Sequence, residues 1–241
     1  WTIPAGNNIV AMEISNVGGE RRVGVVKNDG GDYNFYLYSF PSGFASAPRL
    51  GADYWNIPAG NNVVAIAGVD VDGDGTDEVA VMKNDGGDYN LYVYRIPSGT
   101  EATQQVGADY WNVPSGNNTI LMTGVGDIDG DGKGDLGVMK NNNGDYNFFV
   151  YRAPLGTGYM PLIGADYWNI PGPNNVIDIA GVGDVNGDTN EDLAVMKKDP
   201  ENDYNLYVYP VPSTVQGVGV FGKDFWEIPA KNNTLFLSGF H

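Results

Sequence analysis

Between residues 62 and 113, short apolar runs alternate with polar, glycine-rich breaks at a rhythm too fast for helices. Asn62-Val-Val-Ala-Ile-Ala-Gly-Val69 reads as a first strand, Glu78-Val-Ala-Val-Met-Lys-Asn84 as a second and Tyr89-Asn-Leu-Tyr-Val-Tyr-Arg95 as a third. Asp85-Gly-Gly-Asp88 turns the second into the third, and Ile96-Pro-Ser-Gly99 stops the third. A looser segment from Gln104 to Val113 supplies the fourth. In the third strand Tyr89, Leu91 and Val93 fall on one side, and Tyr92 and Tyr94 on the other. A strand that is apolar on both faces needs a neighbour on each. Propeller blades provide that, and a half-exposed meander does not.

The same grammar recurs along the chain. Trp1, Trp55, Trp111, Trp168 and Trp226 each open the phrase Trp-x-(Ile/Val)-Pro-x-x-Asn-Asn, at spacings of 54, 56, 57 and 58 residues. Repeats therefore run over 1–54, 55–110, 111–167 and 168–225, with a partial copy at 226–241. The prediction is one all-β domain over residues 1–241. It is a β-propeller of four-stranded blades with four full repeats and a partial fifth. A small residue recurs in the second strand at Gly24, Ala80, Gly137 and Ala194, which suits packing toward the narrow centre of a ring.

Composition sharpens this picture in three ways. The 35 glycines and 14 prolines fit many turns between short strands, and the absence of cysteine leaves no disulfide framework. A formal net charge of -17 argues against nucleic acid and anionic membrane surfaces as partners. No apolar run approaches the roughly 20 residues that span a bilayer, so no membrane insertion is expected. The chain opens at Trp1 without a signal-peptide pattern, which reads as a processed chain or a fragment.

Much of the acidity is concentrated in three loops between first and second strands. They are Asp70-Val-Asp-Gly-Asp-Gly-Thr-Asp-Glu78, Asp127-Ile-Asp-Gly-Asp-Gly-Lys-Gly-Asp135 and Asp184-Val-Asn-Gly-Asp-Thr-Asn-Glu-Asp192. Positions one, three, five and nine all bear side-chain oxygens: Asp70, Asp72, Asp74 and Glu78; Asp127, Asp129, Asp131 and Asp135; Asp184, Asn186, Asp188 and Asp192. That spacing wraps a loop around a hard cation, and calcium is the cofactor expected. Two sites are expected to be strong. The third is expected to be weaker, because Asn186 replaces an acid and Thr189 replaces the glycine of the sharp turn. In the second repeat Asp77 stands beside Glu78, and either is placed to close the shell. The first repeat has Ile14-Ser-Asn-Val-Gly-Gly-Glu-Arg-Arg22 instead, with Arg22 near the calcium position, and is expected to bind no metal. Weak calcium loops suit a millimolar-calcium setting, outside the cell or on its surface.

The aspartate loop between strands, the Asp-Leu/Val-x-Val-Met phrase after it and the unit length together resemble the FG-GAP or VCBS repeat family. Integrin α-chain propellers and a group of bacterial and fungal surface proteins carry such repeats. The resemblance implies a β-propeller whose loops bind calcium, with roles ranging from adhesion to lectin activity to accessory modules of enzymes. The tryptophan phrase is not part of that family pattern.

Several other features have two readings. The tryptophans, preceded by Tyr54, Tyr110, Tyr167 and Phe225, serve either as blade-to-blade packing or as stacking platforms for sugars. Asp32, Asp88, Asp145 and Asp203 face lysines that end the preceding strand (Lys27, Lys83, Lys140 and Lys197), and a cross-hairpin lysine–aspartate pair is expected. Asn117-Asn-Thr119 and Asn232-Asn-Thr234 match the N-glycosylation sequon. The only histidine is His241 and there is no Gly-x-Ser-x-Gly elbow, so no catalytic residue is assigned. The spare first strand, Thr234-Leu-Phe-Leu237, would overlay the ring, mark a fragment, or pair with a second copy to build filaments. The expected function is a non-enzymatic structural or adhesive module whose partners are itself, or surface glycans or proteins. A lectin stands second and a polysaccharide-degrading enzyme third.

Overall fold

The computed structural model describes residues 9–29, 32–40, 47–58, 63–85, 88–114, 119–142, 145–171, 176–198, 203–220 and 222–229. The fold is all-β, and no helix occurs among the described residues. Four sheets have the strand order of β-propeller blades: in each, four antiparallel strands pair in chain order, and the short strand Gly156–Thr157 is the one described strand that leaves this order.

Sheet one holds β1 (Ile9–Val17), β2 (Glu20–Asp29), β3 (Asp32–Ser39) and β4 (Arg49–Pro58). Sheet two holds β5 (Val63–Val69), β6 (Glu78–Asp85), β7 (Asp88–Tyr94) and β8 (Gln105–Pro114). In sheet three β9 (Thr119–Gly124), β10 (Asp135–Asn142) and β11 (Asp145–Arg152) are followed by β13 (Leu162–Pro171). The short β12 (Gly156–Thr157) lies between β11 and β13 in the chain but pairs in parallel with β8. Sheet four holds β14 (Val176–Gly181), β15 (Asp192–Lys198), β16 (Asp203–Pro210) and β17 (Gly222–Pro229). The sheets end at Pro58, Pro114, Pro171 and Pro229, so the phrase that opens each sequence repeat closes the sheet before it. The partial fifth copy beyond Pro229, its spare strand and both sequons' asparagines lie outside the described residues.

The chain divides into two compact units. One comprises Trp1–Ser115 with Pro154–Tyr159, and the other Gly116–Ala153 with Met160–His241. In the first, Val26, Phe35 and Leu37 of sheet one pack with Val63, Ile66, Val79 and Val81 of sheet two. In the second, Val125, Met139, Phe148 and Val150 pack with Val176, Ile179, Leu193 and Val195. The apolar faces predicted from the alternation are thus buried face to face, the largest stabilising term available to a chain without disulfides.

The recurring small residue is matched to its neighbour rather than only to position. A Cβ on Gly137 would lie 2.6 Å from Phe148 Cζ, and one on Gly24 would lie 2.9 Å from Phe35 Cε2. Where the small residue is Ala80 or Ala194, the corresponding large residue is Leu91 or Leu206. Glycine with phenylalanine and alanine with leucine fill similar volumes, as close packing requires.

A second repeated device joins neighbouring sheets within each unit. The stretch Gly51-Ala-Asp53 lies under the loop after β7: Ala52 N–H donates to Gly99 O at 2.9 Å, and Glu101 N–H returns to Ala52 O at 3.0 Å. Thr103 N–H donates to Asp53 Oδ2 at 2.9 Å, and its hydroxyl bonds the same oxygen. Gly107-Ala-Asp109 receives β12 in the same way, and Gly164-Ala-Asp166 receives residues 214–218. A Cβ on Gly51, Gly107 or Gly164 would run into the carbonyl of Pro97, Pro154 or Pro212, so only glycine permits this approach. Trp55 fills the seam beside the first of these clasps. Its ring centroid lies 5.4 Å from Phe35 on one side and 5.4 Å from Tyr94 of the next sheet on the other. The side chains of the other four tryptophans lie outside the described set.

Of the predicted lysine–aspartate pairs, the side chains of Asp88, Asp145 and Asp203 lie outside the described residues; Lys27 and Asp32 are described and form no ion pair. Lys27, Lys83, Lys140 and Lys197 stand opposite Asn34, Asn90, Asn147 and Asn205. Their ammonium groups donate to the hydroxyls of Tyr38, Tyr94, Tyr151 and Tyr209. They also lie 4.1–5.2 Å from aromatic ring centroids. The reason is register: the hairpin aspartate pairs two residues beyond the lysine, as Asp32 does with Asp29, while Asn34 stands opposite Lys27 and Tyr36 and Tyr38 share its face.

Candidate metal centre

The three acidic loops join β5 to β6, β9 to β10 and β14 to β15, and each is folded by its own aspartates. Asp127 Oδ1 accepts N–H groups from Gly130 at 2.8 Å and Asp131 at 2.9 Å, and Oδ2 accepts Gly132 N–H at 2.8 Å. Asp70 does the same with Gly73, Asp74 and Gly75, and Asp184 with Gly187, Asp188 and Thr189. This is the Asx-turn propensity of aspartate applied three times over, which forces the loop to curl around its first residue. The turn needs left-handed backbone at its sixth position. Gly75 and Gly132 adopt φ 82° and 83°, and Thr189 is held at φ 75° despite its branched side chain.

The ninth residue closes each loop from the next strand. Glu78 Oε2 accepts Val71 N–H at 3.2 Å, Asp135 Oδ2 accepts Ile128 N–H at 2.9 Å and Asp192 Oδ2 accepts Val185 N–H at 2.9 Å. Val71 and Ile128 are buried beneath their loops, whereas Val185 is exposed. Asp135 and Asp192 are fully buried. Burial pushes the Asp135 carboxyl up to about 7; the Ile128 N–H opposes this, and the charges of Asp129 and Asp131 add to it. Burial likewise raises Glu78 to about 7, against the Val71 N–H.

Carboxylate oxygens of Asp70, Asp72 and Glu78 lie within 4.8 Å of one another, as do those of Asp127, Asp129 and Asp135. Position five stands apart: the Oδ1 atoms of Asp74, Asp131 and Asp188 each accept the backbone N–H two residues on. In the fourth sheet Asn186 Nδ2 donates to Asp192 Oδ1 at 3.1 Å and Asp188 Oδ2 at 3.3 Å, so its amide draws the loop together. The eighth position has another task. Asp77 Oδ2 accepts Asn16 N–H at 2.6 Å, and Asp77 N–H donates back to Asn16 O at 2.8 Å, docking the Asp70–Glu78 loop on sheet one; the acidic loops of sheets two, three and four are called loops two, three and four. Of the two candidates in the second repeat, Glu78 therefore joins the cluster. In the first sheet, Gly18-Gly19 makes a two-residue turn with φ 62° and 77°, leaving no loop to wrap an ion. Arg22 pairs with Glu20 there.

Two participants were not among the predicted ligands. Arg95 Nη1 lies 2.7 Å from Glu78 Oε1 and Nη2 2.7 Å from Asp72 Oδ2. Arg152 Nε lies 3.0 Å from Asp129 Oδ2 and 3.2 Å from Asp131 Oδ2. Both arginines follow a readable rule, since each stands at the end of the third strand of a sheet whose loop has acids at all of positions one, three, five and nine.

The donor set is all oxygen and strongly anionic, which suits a hard divalent cation. The test of fit is Asp135 Oδ1. It is buried in the cluster and accepts no hydrogen bond, and Asp72 Oδ1 is in the same position. Buried carboxylate oxygens without donors are rare because they are costly, and a coordinating cation removes the cost. No protein-family model and no curated protein matches the chain.

Proposed function

We propose that the protein is a non-enzymatic, calcium-stiffened β-propeller of the FG-GAP/VCBS kind, working outside the cell or on its surface as a structural or adhesive module. The observation that carries the reading is the convergence of positions one, three and nine around the unpartnered Asp135 oxygen. A cation held there would tie the end of the first strand to the start of the second in each of three sheets. It would take Asp70, Asp72 and Glu78, or Asp127, Asp129 and Asp135, as ligands, with Asp74 and Asp131 completing the shell. Asp184, Asn186, Asp188 and Asp192 would form the weaker third site. The ion supplies charge neutralisation and cross-strand bridging; the chain supplies the preformed turn. The seam position of Trp55 supports packing rather than sugar stacking as the role of the tryptophan phrase.

Because a ligand bound only by the folded state stabilises it by mass action, calcium should raise the melting temperature and a chelator should lower it. A melting curve identical in excess calcium and excess chelator overturns the reading.

A further inference from the structure

Arg95 and Arg152 touch the oxygens that a cation would need. In loops two and three the loop's own N–H groups occupy Asp70, Asp74 Oδ1, Asp127 and Asp131 Oδ1. The guanidinium groups take the oxygens left over: Asp72 Oδ2 and Glu78 Oε1 in one loop, Asp129 Oδ2 and Asp131 Oδ2 in the other. Each arginine comes from the strand across the sheet, with Arg152 directly opposite Asp135 in register. Each is also about half exposed, at 44% and 45%, so the head group has open water to move into. Sheet four differs at this register position. Pro210 faces Asp192, and the donors come from Asn186 within the loop. Sheet one has Ser39 opposite Arg22. Among the described residues, then, an arginine stands at this place only where positions one, three, five and nine of the loop are all acids.

A guanidinium cannot finish the job. It leaves Asp72 Oδ1 and Asp135 Oδ1 without partners, because a planar fork reaches one edge of the cluster and not its centre. A divalent ion at the centre would meet the positive fork on the same oxygens, and two cations sharing one carboxylate edge repel each other.

We infer that Arg95 and Arg152 are resident counter-cations of loops two and three, holding each loop together when no divalent ion is bound and swinging out when one binds. This rests on the metal reading of the loops. Its consequence is that these two loops fill at a higher calcium concentration than their acids alone would allow, and that loop four is not under this control.

The test is the full chain carrying Arg95→Gln and Arg152→Gln, titrated with calcium by calorimetry beside the unaltered protein. Two of the bound ions should shift to about tenfold lower calcium, the scale set by a charge-assisted bond at a partly exposed site. Melting in chelator should fall, while melting in saturating calcium should not change. The Arg95→Lys/Arg152→Lys variant keeps the charge but not the fork. It should fall between the two, and it serves the same comparison if the glutamine variant fails to fold in chelator. Unchanged or weaker calcium binding in the glutamine variant overturns the inference and leaves the metal reading intact, because the arginines would then be inert or would position the ligands. No calcium binding by either protein overturns both.

Discussion

In the first sheet the buried Glu13 carboxyl meets one hydroxyl, that of Ser15 at 2.9 Å, and the negative charge of Asp77 nearby. In the third sheet the buried Asp135 carboxyl meets the acids of its own loop, with Arg152 across the strand. Each carboxyl has one oxygen without a hydrogen-bond partner. The difference lies in the connection that follows the first strand. Gly18-Gly19 closes sheet one in two residues and brings no further acid, and Glu13 sits mid-strand opposite Gly24, where a proton neutralises it most cheaply. The nine-residue loop of sheet three brings further carboxylates to Asp135, and a cluster of that charge calls for a metal ion or a guanidinium. The lesson is that loop length, more than acid content, decides what neutralises a buried carboxylate here.

The largest effect that separates the two cases is on pH. Burial pushes Glu13 from its ordinary 4.5 up to about 8, against the Ser15 hydroxyl and with the charge of Asp77 adding. Between those values the folded protein keeps a proton that the unfolded chain has released. Stability from this group is therefore greatest below pH 4.5 and declines as pH rises toward 8, by about 4 kcal/mol over the window. Urea unfolding of wild type and Glu13→Gln at pH 5 and pH 8.5, in chelator, should show a steeper decline for wild type. Parallel profiles would mean that Glu13 is ionised in the fold, and the contrast with Asp135 would collapse.

Next in size is the test of whether the loops hold their shape without a cation. Asp127→Ala removes the acceptor of three backbone N–H groups, and Asp184→Ala does the same in loop four. Each should lower Tm by about 8 °C even in chelator, at roughly 1 kcal/mol per lost bond. A loss seen only in calcium would show that the turn depends on the ion and not on its aspartate.

The smallest effect concerns loop four alone. Thr189 holds a φ of 75° that glycine holds in the other two loops. Thr189→Gly should raise stability by about 1 kcal/mol by removing that strain. No gain in a denaturant titration would mean that the threonine side chain repays its backbone elsewhere.

Much of this architecture is legible in the sequence. Period-two apolar runs around Leu91 and Val93, and turn signals such as Asp85-Gly-Gly-Asp88, place strands because they report local chemistry. The loop positions are legible for the same reason: Asx turns are set within a few residues. What escaped was set by pairing across the sheet or between sheets. Lys27 is expected to meet Asp32 and instead bonds Tyr38, because register brings Asn34 and not Asp32 opposite it. The role of Gly107 depends on Pro154, far along the chain, and nothing local to either residue announces the contact. Arg152 carried a signal after all, since arginine ends the third strand where the loop has acids at positions one, three, five and nine, and proline or serine does so elsewhere.

The most direct measurement is an anomalous difference map from a crystal of the full chain soaked in a lanthanide that replaces calcium. Calcium binding by the loops requires peaks inside Asp70–Glu78 and Asp127–Asp135, a weaker one at Asp184–Asp192, and none at the Gly18-Gly19 turn. An ordered structure with no peak at any of the three loops would contradict it.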